Sequence, residues 1–206
     1  MEESTLIPYR KKDKWGYCNF DKDILIPCQF DGAEPFFEDR AVVFMDKDTP
    51  GCLGVIDESG NLICEVKYDM MNHFKNGFAA VSKNGKWGFI NKEGKEQIPL
   101  IYDNVLDFSD GRAAIKLNGK FGFIDSEGNP ITEFNYENCD SFHNGYASVM
   151  EEGNHGAIDI HGHEVVPCIS SIPVTLDAPV TIIPTVDITY FCTGNVVGNT
   201  VTVSVN

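Results

Sequence analysis

The sequence predicts an all-β protein made of tandem three-stranded antiparallel meanders, stacked as an open β-repeat array, with an incomplete propeller-like closure as the alternative. Three observations predict it. A motif of about 34 residues recurs five times, and hairpin-turn residues fall at the same two places in the well-kept copies. The composition, with 19 Gly and 10 Pro in 206 residues, favours short strands over long helices.

Each copy is marked by a large residue followed by Gly: Trp15-Gly16, Leu53-Gly54, Trp87-Gly88, Phe121-Gly122 and His155-Gly156. The last three steps are 34 residues each, and the first, from Trp15 to Leu53, is 38. Other positions recur in phase. Three residues after the marker stand Cys18, Ile56, Ile90, Ile124 and Ile158, followed by Asn19, Asp57, Asn91, Asp125 and Asp159. Gly follows at 60, 94, 128 and 162, then Phe30-Asp31, Tyr68-Asp69, Tyr102-Asp103 and Tyr136-Glu137. Phe36, Phe74, Phe108 and Phe142 come next, and then Ala41, Ala79, Ala113 and Ala147.

Strands and turns follow from this order. Ala79-Ala80-Val81-Ser82-Lys83 runs through Asn84-Gly85 into Lys86-Trp87-Gly88-Phe89-Ile90. Asn-Gly between apolar runs marks a type I′ hairpin, because both central residues need positive φ. Asn118-Gly119 repeats the arrangement, and Lys12-Asp13 is a weaker equivalent before Trp15. The second turn runs from Asp57 to Gly60, Asn91 to Gly94, Asp125 to Gly128 and Asp159 to Gly162. An Asx side chain there can bond the turn backbone while Gly takes the left-handed position. A longer connection such as residues 101–111 then carries aromatics expected to pack beneath the sheet. One such meander cannot bury its apolar face alone, so neighbours must stack. Trp15, Trp87 and their substitutes are expected in the core, each followed by a Gly that admits a close backbone or ring.

The segment Asn84-Gly85-Lys86-Trp87-Gly88-Phe89-Ile90-Asn91-Lys92-Glu93-Gly94, continuing to Ile98-Pro99 and Tyr102-Asp103, resembles a consensus unit of the WG-repeat (KWG-repeat) family. The resemblance covers roughly residues 5–169. Departures are Leu53, Phe121 and His155 in the Trp slot, Lys22 for the first turn Gly, and Glu65 and Glu133 for Pro. It implies a β-repeat scaffold and a bacterial-type accessory protein without a defined biochemical role.

The chain divides into a repeat domain, residues 1–169, and a segment 170–206 rich in Val, Thr and Ile. In that segment Thr200-Val201-Thr202-Val203-Ser204-Val205 alternates as a half-buried strand does, while Pro173, Pro179 and Pro184 break the rest. It reads as a cap on the array or the start of a further β domain. The four extra residues of the first interval enlarge the turn between Met45 and Cys52, making Asp46, Lys47, Asp48 and Thr49 a candidate binding loop.

Charge and cysteine usage restrict function. The net charge of −15 argues against nucleic-acid binding, which needs basic surface. All 16 Lys and Arg lie at or before Lys120, so residues 121–206 carry eleven acids and no base, which suits a solvated acidic surface or a face that attracts a basic partner or divalent cations. Seven cysteines without a Cys-x-x-Cys pair read as reduced thiols. The start lacks a secretory leader and the longest apolar runs are too short for a membrane span, so the expected location is cytoplasmic. His155, His161 and His163 with Asp159 and Glu164 form the nearest approach to a metal-ligand set, and their spacing does not complete a tetrahedral site. Neither a nucleophile elbow nor a P-loop nor a dinucleotide fingerprint occurs. The expected function is therefore a non-enzymatic scaffold without cofactor or metal. It would present its β surface and loops to a protein or peptide partner, with carbohydrate or cell-surface binding as the alternative.

Overall fold

A computed structural model of the chain describes residues 6–46, 52–64, 66–170, 174–175 and 201–202. These residues contain strands and turns and no helix, so none is long and apolar enough to cross a membrane. The chain forms two compact units, Met1–Asp107 and Phe108–Asn206.

In the first unit, Ile7–Lys11, Lys14–Cys18 and Ile24–Phe30 form an antiparallel meander. The second copy pairs Gly32–Ala33 with Ala41–Phe44, and the latter with Leu53–Ile56. In the third, Met70–Met71, Phe78–Lys83, Lys86–Asn91 and Glu96–Tyr102 make a four-stranded sheet. Two-residue strands thus add an outer rung to the predicted meander. The second unit repeats the scheme with Ala113–Leu117 on Lys120–Ile124, then Asn138–Cys139, Tyr146–Glu151, Asn154–Asp159 and Glu164–Ser170. None of these sheets closes into a barrel. Of the segment 170–206, only Val174–Thr175 and Val201–Thr202 are described beyond Ser170, as a parallel pair.

The third strand alternates between two forms. In the first, third and fifth copies it has seven residues and is bulged: Trp87 faces Tyr102 and Phe89 faces Ile98, so two strand residues are looped out. In the second and fourth copies only isolated bridges remain, Leu53 to Tyr68 and Ile56 to Leu62, then Phe121 to Tyr136 and Ile124 to Pro130.

Side chains from adjacent copies share each core. Tyr17, Ile26, Phe30, Ala41, Val43 and Ile56 form one cluster, and Val55, Cys64, Tyr68, Phe74, Ala79, Val81 and Ile90 form the next. In the second unit the ring of Phe123 meets Phe142 at 5.0 Å and Tyr136 at 6.2 Å between centroids. The connection aromatics do pack beneath the sheets, where each fully buried ring contributes about 1.5–3 kcal/mol.

The second turn is an Asx turn in the second to fifth copies. Asp57 Oδ1 accepts the amides of Ser59 and Asn61, Asn91 Oδ1 those of Glu93 and Lys95, and Asp125 Oδ1 those of Glu127 and Asn129. The turn glycines also touch the preceding copy: a Cβ on Gly94 would lie 2.3 Å from the Ile63 carbonyl oxygen, and one on Gly162 2.4 Å from that of Ile131. Lys22 holds φ of 68° at the first such turn, where its side chain is exposed.

Candidate interaction surface

The positions singled out by the repeat are structural. Leu53 and Phe121 are buried, whereas Trp15, Trp87 and His155 are half-buried. The fully enclosed ring is two residues further along, at Tyr17, Phe89 and Phe123. Cationic side chains lie over two of the marker rings, Arg10 at 6.0 Å from Trp15 and Lys116 at 4.9 Å from Phe121. The marker positions therefore form the rim of the core and not an open row of rings.

Gly16, Gly88 and Gly156 lie under the bulged third strand. A Cβ there would stand 2.4 Å from the carbonyl oxygen of Ile26, 2.4 Å from that of Ile98 and 2.6 Å from that of Val166. Gly54 and Gly122 are crowded instead by side chains, Leu62 and Val66 in one case and Phe134 in the other, with the Glu133 carbonyl also near Gly122.

Of the candidate loop, Asp46 is exposed beside the closing hydrogen bond from Met45 N to Cys52 O, while Lys47, Asp48 and Thr49 lie outside the described residues. The histidine set does not converge on a metal position. The amides of His161 and His163 donate to Asp159 Oδ1, His163 Nδ1 stands 3.3 Å from Asp159 Oδ2, and the two rings are 6.0 Å apart. Glu164 instead joins Glu151 and Cys168, with donor atoms within 4.8 Å. Burial and the two carboxylates push the Cys168 thiol up, keeping it protonated.

A surface of mixed chemistry lies in the first unit, where two successive connections meet. Phe37 stacks on His73 with ring centroids 4.2 Å apart and planes at 30°. Beside them Asn72 Nδ2 donates to Asp107 Oδ1 at 2.8 Å. Together with Met71 and Lys75, over a floor that includes buried Phe74, they line a cleft of about 380 Å³. Glu38, next to Phe37, fixes the geometry by accepting the amides of Asn76 and Gly77, each at 2.8 Å. Sequence reasoning passed over this cleft. Its signal was the doubled aromatic Phe36-Phe37, since the residue after the recurrent Phe is Lys75, Ser109 or His143 elsewhere.

Tandem antiparallel meanders with shared cores and a Gly beneath a bulged strand define a β-repeat scaffold. The chain belongs to the WG-repeat family: the WG containing repeat matches residues 15–47, 54–87, 87–121 and 121–154. The fifth copy, from His155, lies beyond the matched residues, although its strands pair as those of the third copy do. No curated protein matches the chain. Among solved structures it is similar to KlHsv2 with loop 6CD replaced by a Gly-Ser linker, at 11% identity and a TM-score of 0.49 over 78% of this chain and 62% of that one. Kluyveromyces lactis Hsv2 gives 12% and 0.47 over 77% and 60%, and a chain of the eukaryotic initiation factor 9% and 0.44 over 80% and 63%. The chain therefore spans less than two thirds of the length of each, and nothing about ligand or partner follows from likeness at this level.

Proposed function

We propose that the chain is a non-enzymatic interaction module that binds a protein or peptide partner through the cleft around Phe37 and His73. What supports the reading is one observation: an exposed stacked pair of a phenyl and an imidazole ring, a thioether, a lysine and a carboxylate converge at a place stiffened by backbone-to-Glu38 hydrogen bonds. Phe37 is 41% exposed, so apolar surface is on offer beside polar groups that can fix orientation. Membership in a family of repeat scaffolds agrees with this, because such arrays present connections from successive units to a partner. The chain's net charge of −15 favours a partner carrying basic residues.

The alternative, carbohydrate stacking on a repeated row of aromatics, gains no observation of its own. The recurrent rings Tyr68, Phe74, Tyr102, Phe108, Tyr136 and Phe142 are buried, and the half-buried Trp15 carries Arg10 over its face.

The test is retention of partners from the native source on the full chain and on its Phe37→Ser and His73→Ala variants, with a glycan array alongside. A protein retained by the native chain and lost from both variants is the expected result. A partner held equally by all three would remove the cleft from the reading, and glycan capture without any protein would replace the reading altogether.

A further inference from the structure

The first sheet differs from its counterparts at one edge. In the third copy Met70–Met71 covers the outer side of Phe78–Lys83, with Met70 opposite Ser82 and Met71 opposite Val81. In the fifth, Asn138–Cys139 covers Tyr146–Glu151, and in the second Gly32–Ala33 covers Ala41–Phe44. The strand Ile7–Lys11 occupies the same place in the first copy, and among the described residues none pairs with its outer side. Exposure reflects this. Ala79 to Ser82 are all at most 3% exposed, whereas of their counterparts Ile7 and Arg10 are exposed and Pro8 and Tyr9 half-buried.

The covered copies also specify the chemistry of what covers them. An acid precedes each short strand and an aromatic follows that acid by five residues: Asp31 and Phe36, Asp69 and Phe74, Glu137 and Phe142. The acid serves the hairpin turn of the covered strand. Asp69 Oδ2 accepts the Asn84 amide at 2.7 Å and Glu137 Oε2 the Gly153 amide at 3.1 Å. The backbone beside it completes the edge, Asp69 N donating to Ser82 O and Asn72 N to Ala80 O, both at 2.9 Å. Phe74 and Phe142 are buried beneath. At the first sheet the corresponding turn is Lys12-Asp13, and four of the chain's 16 basic residues, Arg10, Lys11, Lys12 and Lys14, fall in residues 10–14. Lys14 pairs with Asp31 at 2.5 Å, and Arg10 stands 3.7 Å from Asp13 in solvent.

We propose that the outer edge of Ile7–Lys11 docks an extended acidic peptide segment of a partner protein by β-augmentation. The segment adds a short strand opposite Arg10 and Tyr9, sets a carboxylate on the Lys12-Asp13 turn, and buries an aromatic five residues further on. Arg10 and Pro8 offer the carbonyls that correspond to those of Ser82 and Ala80. Pro8 has no N–H, which holds the added strand to the two-residue length seen internally. In the register of the repeat, Ser170-Ser171 stands where Tyr136-Glu137 stand one copy earlier, so the acid of the motif is missing at that position. The local basic cluster selects an acidic segment here, in contrast to the basic partner that the overall charge favours. The inference rests on the interaction-module reading but places a second contact away from the Phe37 cleft.

The probe is a fluorescein-labelled peptide of residues 134–144 bearing Cys139→Ser, titrated with the full chain by anisotropy and mapped by amide chemical shifts. Saturable binding with shifts at residues 8–13 is expected. Glu137→Gln or Phe142→Ala in the peptide, and Lys12→Glu in the exposed turn of the chain, should each weaken it by about tenfold. Asn138→Pro in the peptide should abolish it. Changes within the peptide leave the fold of the chain untouched. Absence of saturation, equal binding of a scrambled peptide, or shifts confined to other residues overturns the edge assignment. A partner that still depends on Phe37 in that case leaves the interaction-module reading standing. Peptide binding at the edge with no dependence of the captured partner on Phe37 does the reverse for the cleft.

Discussion

The Gly of each Trp-Gly pair is required by what crosses it. At Gly88 the carbonyls of Ile98 and Pro99 pass at 2.4 and 2.7 Å from where a Cβ would be, and backbone in a bulge cannot retreat without breaking its pairing. At Gly54 the nearest atoms are the ends of Leu62 and Val66 at 2.9 and 3.1 Å, and Leu62 is half exposed and can rotate away. Gly88→Ala should therefore cost about 3 kcal/mol, the upper range for overpacking, and Gly54→Ala about 1 kcal/mol or less. Urea midpoints measure both, and equal losses would show that crowding by backbone and by side chain are not distinct here. The thiols divide similarly. Burial, with Asp140 beside it, pushes the Cys139 thiol up to about 12, while Cys28 and Cys52 are only partly buried. Aromatic disulfide reagent at pH 8 should label Cys52 and Cys28 in the native protein and reach Cys139 only on unfolding. Rapid labelling of Cys139 in the folded chain would mean that its copy opens readily.

Among the elements, the Asx turns make a pH prediction. Burial is the largest single influence on Asp57, Asp125 and Asp159 and opposes their ionisation, but hydrogen bonds from the turn amides and from Asn61, Asn129 and His163 together outweigh it and hold all three below the usual carboxylate range. A carboxyl depressed in the folded state contributes stability above its unfolded pKa of about 3.9, and loses it as pH falls through the lower folded value. Unfolding should thus steepen below about pH 4. Asp57→Asn with Asp125→Asn should flatten that acid limb while keeping the turns, since Asn91 already accepts the same pair of amides through Oδ1. An unchanged acid limb in the double variant would assign the sensitivity to other carboxylates. These turns were legible in the sequence because Asn, Asp and Gly specify their own backbone locally. The two-residue strands were not, since Met70–Met71 has no alternation to read and exists only through its pairing with Val81 and Ser82. Trp87 was expected to be enclosed, yet it stands at the end of the strand opposite Ser82, where the sheet gives way to solvent, and Phe89 takes the central place. Of the cleft the sequence shows only the doubled aromatic Phe36-Phe37, because Phe37 and His73 belong to different copies and meet only when the copies stack.

Across the whole chain, two kinds of copy alternate. Pro27, Pro99 and Pro167 mark copies with a seven-residue bulged third strand, whereas Glu65 and Glu133 stand at that position where only isolated bridges form. Other positions keep the same alternation: Arg40 and Arg112 against Phe78 and Tyr146, and Glu38 and Asp110 against Asn76 and Asn144. The alternation is functional for assembly within each unit. Glu38 accepts the amides of Asn76 and Gly77, and Asp110 that of Gly145, while Arg40 Nε donates to Lys92 O and Arg112 Nε to Ile160 O, both at 2.9 Å. An acid and an Arg in one kind of copy are thus received by a turn amide and a turn carbonyl of the other, which predicts a pair of motifs as the cooperative module. Such a module should open unevenly. Amides of residues 96–102 and 164–170 lie in laddered strands, whereas the described residues 62–64, 66 and 130–135 carry scattered bonds such as Ile63 N to Val55 O and Ile131 N to Phe123 O. With each missing bond worth about 1 kcal/mol, hydrogen exchange in the bridged segments should run roughly tenfold or more faster than in the laddered ones. Uniform protection across both sets would mean that each 34-residue motif opens alone and that the paired module has no energetic reality.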